Sequence, residues 1–256
     1  MSGFSGQGLV SIAERLPSGL PGVFIEFGNA DTFELGLTEE SVERTESMSG
    51  QRLPYRKMTK SRGGTLKLKG DEFNSKNFAR AVIGKIVDVA AGAAVVGHVL
   101  PLGMVVGDIY ALPGKNITAN TVTVKDSTAV AKNLALNTNY SFDSLSGEIK
   151  LLDIATGGPY TQPFKADFTP GAHRAIGAFQ DTSKEFFVRL KGINTDTNER
   201  GITDVYRVKI NPTKALALIN SDFLDFELDC TVLADLTRTT DQAGGQFFGF
   251  FTAPVA

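Results

Sequence analysis

Apolar residues recur at every second position through much of this chain, and period-two alternation is the signature of a strand with one buried face. Phe33, Leu35 and Leu37 alternate with Glu34, Gly36 and Thr38, while Leu66 and Leu68 alternate with Thr65, Lys67 and Lys69. The pattern returns from Thr121 to Lys125, at Tyr140 and Phe142, from Glu148 to Ile154, and at Phe164, Ala166 and Phe168. Further on, Phe186, Val188 and Leu190 mark one strand and Tyr206, Val208 and Ile210 the next, with Asn194 to Thr203 as the loop between them. Among 256 residues, 27 Gly and 10 Pro supply the turns that many short strands need. Helix signals are few. Asn74 caps a helix predicted from Ser75 to Ile83, with Phe78, Ala81 and Val82 on one face and Gly84 to stop it, and Asn211 with Pro212 starts a shorter one reaching Ile219. The order of strands, helix, β-rich middle and strands again predicts a β core interrupted by an inserted β module over residues 92–172.

Composition removes several classes of function. With 26 Lys and Arg against 28 Asp and Glu, no excess of positive charge exists to hold a nucleic-acid backbone. The single cysteine, Cys230, excludes an intrachain disulfide and a cysteine-based zinc cluster. The polar, Gly-rich start lacks a basic patch followed by an apolar run, so no secretory signal is expected and the protein is expected inside a cell. Val89 to Gly107 carries no charged residue and approaches bilayer length, but His98, Pro101 and four glycines interrupt it, which fits two strands and a turn better than a membrane span.

No phosphate loop, nucleophile elbow or His-Glu-x-x-His motif is present, so no catalytic, cofactor-binding or metal-binding residue is assigned. His98 and His173 are far apart in sequence. The run from Asn194 to Gly201 has the flavour of a calcium loop, yet Glu199 stands where glycine is required and Val205 where the bidentate glutamate belongs, so a hairpin turn is expected.

Two charge features stand out. Ser49 to Arg62 holds Arg52, Arg56, Lys57, Lys60 and Arg62 with no acid, a long basic hairpin loop or extension that is either solvated or docks on an acidic surface. Leu224, Phe226, Leu228, Cys230 and Val232 alternate with Asp225, Glu227, Asp229 and Thr231, which sets three carboxylates in a row on one strand face. Either Arg207, Lys209, Lys67 or Lys69 on neighbouring strands neutralises that row, or the row faces something that must not adhere to it.

The order of these features resembles the major tail tube proteins of long-tailed, siphovirus-type bacteriophages over most of the chain. The resemblance is carried by Gly64 to Gly70 followed by the Asn74 to Gly84 helix, by Asn139-Tyr140 ahead of Gly147-Glu-Ile, and by Phe186 to Asn194, Asp204 to Pro212 and Asp222 to Asp235. Where the family pattern has Asp-Tyr, this chain has Asn139-Tyr140. The resemblance implies two packed antiparallel sheets, a sandwich or barrel, with a flanking helix and the inserted module. It also implies ring-forming copies, six to a ring, stacked into a hollow tube through which DNA passes without specific binding. An arm over residues 1–21, a core over 22–91 and 173–236, and a C-terminal arm over 237–256 follow. The implied partners are further copies and the tail initiator, tape-measure and terminator proteins, in a virion tail assembled in the bacterial cytoplasm. Arg52, Leu53, Tyr55, Arg56, Lys57, Met58, Lys60 and Arg62 become the inter-ring contact candidates, with cations that would meet acids on the adjacent ring, and Asp225, Glu227 and Asp229 the lumen-lining ones. A virion decoration protein or adhesin, a β-sandwich enzyme, and the tube of a headless tail-like bacteriocin are the competing readings.

Overall fold

The computed structural model describes residues 5–219, 221 and 226–252, and the chain divides into two compact units, Met1–Ile86 with Ile176–Ala256, and Val87–Ala175. The first contains β1 (Gly6–Glu14), β2 (Ile25–Gly28), β3 (Ala30–Thr45), β4 (Pro54–Gly70) and the one α-helix among the described residues, α1 (Ser75–Ala81). β5 (Lys85–Val89) leads into the second unit, with β6 (Val95–Val99), β7 (Ile109–Ala111), β8 (Thr123–Lys125), β9 (Asn133–Leu134), β10 (Tyr140–Asp143), β11 (Glu148–Leu151) and β12 (Lys165–Phe168). β13 (His173–Gly177) brings the chain back, paired with β5, and β14 (Phe186–Asn194), β15 (Arg200–Ile210), β16 (Phe226–Val232) and β17 (Phe248–Thr252) complete the first unit. The protein is thus mainly β, with antiparallel sheets and, among the described residues, one α-helix. No helix among the described residues is long and apolar enough to cross a membrane.

In the first unit one ladder runs β2-β1-β14-β15-β16-β4-β3, with β17 also on β15. Val10, Ile12, Leu66, Leu68, Val208 and Leu228 lie in one buried cluster although they come from strands spread across that ladder. Phe27 on β2 sits 6.2 Å, ring to ring, from Phe226 on β16, with three strands between them in hydrogen-bonding order. The two layers are therefore opposite halves of one continuous sheet bent over a shared core. β16 shows the expected period cleanly, since Phe226, Leu228, Cys230 and Val232 are buried and Glu227, Asp229 and Thr231 are not. Each large apolar side chain so buried contributes about 1.5–3 kcal/mol.

Several expectations are corrected. Residues 6–14 are no arm: they form β1 between β2 and β14, with Val10 to Ala13 buried consecutively because both faces are covered. Within the expected C-terminal arm, Phe248–Thr252 is β17, paired along β15. The expected helix from Asn211 to Ile219 is absent, because the backbone there continues to serve its neighbours: Asn211 donates its amide to the Asp229 carbonyl at 2.8 Å and Thr213 donates to Ala81 at 3.0 Å.

The helix α1 starts where expected, the Asn74 side chain accepting the amides of Lys76 and Asn77. It ends at Ala81 with Val82 as its cap, two residues short of the expected Ile83. Ile83 takes the left-handed conformation at φ 49°, Gly84 donates to the Ala79 carbonyl at 2.6 Å, and Ile83 donates to Arg80 at 3.2 Å. That pair of bonds is a Schellman cap with a β-branched residue at the position glycine normally takes.

The second unit has two sheets, β10-β11-β7 and β6-β12-β8-β9, around Leu112, Val124, Tyr140, Ile149, Phe164 and Phe168. Its limits, Val87–Ala175, run slightly wider than the 92–172 read from the sequence. Two buried polar side chains pin its loops. Asp126 accepts the Lys132 amide at 2.7 Å and the Thr128 hydroxyl at 2.8 Å. Asn139 accepts the Ala135 amide and donates to the carbonyls of Asp153 and Thr156, both at 2.9 Å. Those two donated bonds require an amide. They give a physical reason for Asn139 rather than aspartate at this position. The uncharged stretch from Val89 to Gly107 holds the end of β5 and one full strand, β6, rather than the expected two strands and a turn, and the turns after β6 are held by Gln162, which bonds both the Gly103 amide and the Met104 carbonyl.

Candidate interaction surfaces

Opposite charges in consecutive segments favour a hairpin, and Glu39, Glu40, Glu43 and Glu46 precede the basic run by a few residues. β3 and β4 pair along their whole lengths, whereas β16 accompanies β4 only from Gly64 to Gly70. From Thr38 outward the pair is a free two-stranded ribbon, eight residues on the β3 side, or about 26 Å at roughly 3.3 Å per residue. The basic segment is mostly strand: Pro54 to Arg62 belong to β4, and only residues 46–53 form the tip. At that tip the Glu46 carboxylate accepts the hydroxyl and amide of Ser49 and the amide of Met48, and these bonds hold its carboxyl below the usual range.

The acids that match these cations lie on the same ribbon. Lys57 faces Glu43 at 3.6 Å, Lys60 faces Glu40 at 3.0 Å, and Arg62 faces Glu39 at 3.3 Å. The expectation that all five cations meet acids of another copy is corrected to this extent, for a simple reason: antiparallel register places them beside their own hairpin's carboxylates. Arg44 lies opposite Arg56, and among the described residues Arg44, Arg52 and Arg56 have no carboxylate within ion-pair distance. The ribbon's apolar side chains are bare, with Val42 at 49%, Leu53 at 52%, Met58 at 64% and Tyr55 at 69% exposure. Val42 and Met58 are cross-strand partners. The sequence reading missed Val42 and the four glutamates, although their nearness to the basic run was a usable signal.

The outward face of β16 carries Glu227 and Asp229, and Asp225 lies outside the described residues. β4 sets Lys69 opposite Glu227 and Lys67 opposite Asp229. Lys67 reaches Glu227 at 2.9 Å, and this bond holds its ammonium above the usual value, while Lys214 approaches Asp229 at 3.8 Å. Of the neutralising residues considered, Lys67 and Lys69 are therefore adjacent, Arg207 instead forms a bidentate pair with Glu185, and Lys209 lies opposite Thr231. The row is a mixed-charge face. Cys230, on the opposite side of the strand, is buried, which with nearby Asp229 pushes its thiol up to about 12 and leaves it inert at neutral pH.

The residues considered for chemistry are dispersed. His98 hydrogen-bonds Tyr110 at 3.1 Å and stacks on its ring, and His173 bonds the Gly171 carbonyl. Asn194 and Arg200 bound a turn in which the Asn198 amide donates to the Asn194 carbonyl at 2.7 Å. Among the described residues no three His, Cys, Asp or Glu side chains converge to hold a metal ion.

Fold and surfaces together define a mainly β, two-unit protein that presents an exposed charged ribbon and a half-buried mixed-charge sheet face. A family described as protein of unknown function UCP028589 matches residues 3–250, and the chain belongs to that family. No curated protein sequence matches it.

Proposed function

We propose that this chain is a self-assembling structural subunit of the tail-tube kind, whose copies form stacked rings around a conduit for DNA. The observation that carries the reading is the β3–β4 ribbon, which leaves its own sheet with Val42, Leu53, Tyr55 and Met58 uncovered. An isolated two-stranded ribbon is marginally stable in water, and its free edges and apolar side chains become satisfied when another copy lies against them. Contact between two different faces of one subunit propagates as a filament, which is the geometry of stacked rings. In this reading Arg44, Arg52 and Arg56, the ribbon cations without a carboxylate, meet the neighbouring ring. The outward face of β16 lines the lumen, where pairing of Glu227 with Lys67 leaves a nearly neutral wall that neither holds nor strongly repels passing phosphates. Initiator, tape-measure and terminator proteins would set where the tube begins, how long it grows and where it stops, in a virion tail assembled in the bacterial cytoplasm.

The test is electron microscopy of the concentrated protein, alone and with an initiating complex. Tubes of uniform width are expected, and a triple change of Arg44, Arg52 and Arg56 to Glu should abolish them without altering the subunit's circular dichroism. A monodisperse monomer under both conditions, or unimpaired tubes in the triple variant combined with loss of a genuine DNA affinity, overturns the proposal.

A further inference from the structure

A cavity of about 700 Å³ lies beside α1 in the first unit, and Arg80 forms part of its wall. Arg80 is partly buried, and loss of hydration alone brings its guanidinium down to about 10. It donates from Nη1 to Asn77 Oδ1 at 2.9 Å and from Nη2 to the Ile12 carbonyl at 3.4 Å. Asn77 is itself fully buried and fixed by donating to the carbonyls of Phe27 at 2.7 Å and Glu72 at 3.1 Å, so its oxygen is aimed at Arg80. The guanidinium is thus held in place by neutral acceptors, and no carboxylate among the described residues pairs with it. The two acids on the wall, Glu14 and Asp181, are both taken by Lys184, at 3.2 and 2.9 Å, while Lys76 and Lys85 add positive charge that meets no carboxylate among the described residues. Leu16, Ile25, Ile86 and Phe186 supply apolar surface to the same cavity.

Even a partly buried cation without a counter-ion is costly, and a guanidinium fork matches a carboxylate in shape as well as charge. We propose that this cavity is a binding site for a carboxylate carried on an apolar body, with Arg80 receiving the carboxylate and Asn77 positioning Arg80. The proposal stands apart from the tube reading. The carboxylate comes either from a small organic acid or from an acidic side chain of a second copy.

The probe is hexanoate, titrated into the dilute full-length subunit by calorimetry, with acetate, hexanol and inorganic phosphate as comparisons. Saturable hexanoate binding is expected, at least tenfold tighter than acetate or hexanol. Arg80→Met should weaken it at least tenfold, Arg80→Lys should keep part of it, and both variants should retain the wild-type circular dichroism. Absence of saturable binding, equal binding by Arg80→Met, or stronger binding of phosphate overturns the proposal. Sedimentation at high protein concentration then identifies the source: weakening of self-association by hexanoate assigns the carboxylate to a second copy, and unchanged association assigns it to a small acid. Because binding is read on the dilute subunit, failure to form tubes does not touch it.

Discussion

Arg15 donates from Nη2 to the carboxylate of Asp235 at 2.6 Å, joining positions 220 residues apart in sequence. Asp235 is 1% exposed and also accepts the amide and hydroxyl of Thr237, and Arg15 reaches Glu185 at 3.6 Å on its other side. The end of β1 is thereby tied to the segment that follows β16, which is the opposite of a loose terminal arm.

Removing one member of a buried pair leaves the other charge unanswered. Arg15→Met is expected to lower unfolding free energy by about 3–5 kcal/mol, whereas the double change Arg15→Met with Asp235→Asn should cost distinctly less than the sum of the single changes. Urea midpoints of the four proteins check this, and additive effects would contradict it.

At the end of α1, Ile83 holds a left-handed conformation that costs a β-branched residue about 1–2 kcal/mol. Asn tolerates that conformation, so Ile83→Asn should raise stability by about 1 kcal/mol, visible as a higher urea midpoint with an unchanged slope. A loss of stability would mean that the side chain's packing outweighs its backbone strain.

Asn139→Asp tests the clip of the second unit. The replacement sets carboxylate oxygen against the carbonyls of Asp153 and Thr156, which the amide now serves as a donor. A loss of about 1–3 kcal/mol or more is expected at pH 7. Protonation supplies one donor, so the deficit should shrink as pH falls through the carboxylate range. Amide exchange in β10 and β11 reports it locally, and wild-type protection at pH 7 would refute the assignment.

Acid sensitivity should arise in part from Glu185. Hydrogen bonds from Arg207 hold its carboxyl below the usual range despite partial burial. A depressed folded-state pKa gives stability that is present above the unfolded value of about 4.3 and is lost as pH falls through the folded value. The wild-type urea midpoint should drop between pH 6 and pH 3, and Glu185→Gln should drop less over the same window. An equal drop in both proteins would assign the acid sensitivity elsewhere.

What could be read in the sequence depended on whether one face of a strand is wet. Leu66 with Leu68, and Phe226 through Val232, alternate because the sheet there has one buried side, and both strands were legible. β1 was not, because Val10, Ser11, Ile12 and Ala13 are covered on both sides and show no period. The outer ribbon failed for the opposite reason: with both faces in water, its few apolar side chains, Val42, Tyr55 and Met58, follow no period of two. At Asn211-Pro212, helix-start chemistry was overridden by tertiary hydrogen bonds to Asp229 and Ala81. The Arg80 cavity had no sequence signal, since its walls come from β1, α1 and residues 181–186, and only folding brings them together.

The pairing of β5 with β13 bears on how such a chain can change over generations. The chain leaves the first unit and returns to it along adjacent strands, so the whole second unit is, to its host, one loop whose ends are already clasped. Doubling the length of a closed loop costs only about 0.6 kcal/mol in closure entropy. A gene encoding this architecture could lengthen, shorten or exchange its middle third as a cassette, leaving selection on the host sheet almost undisturbed.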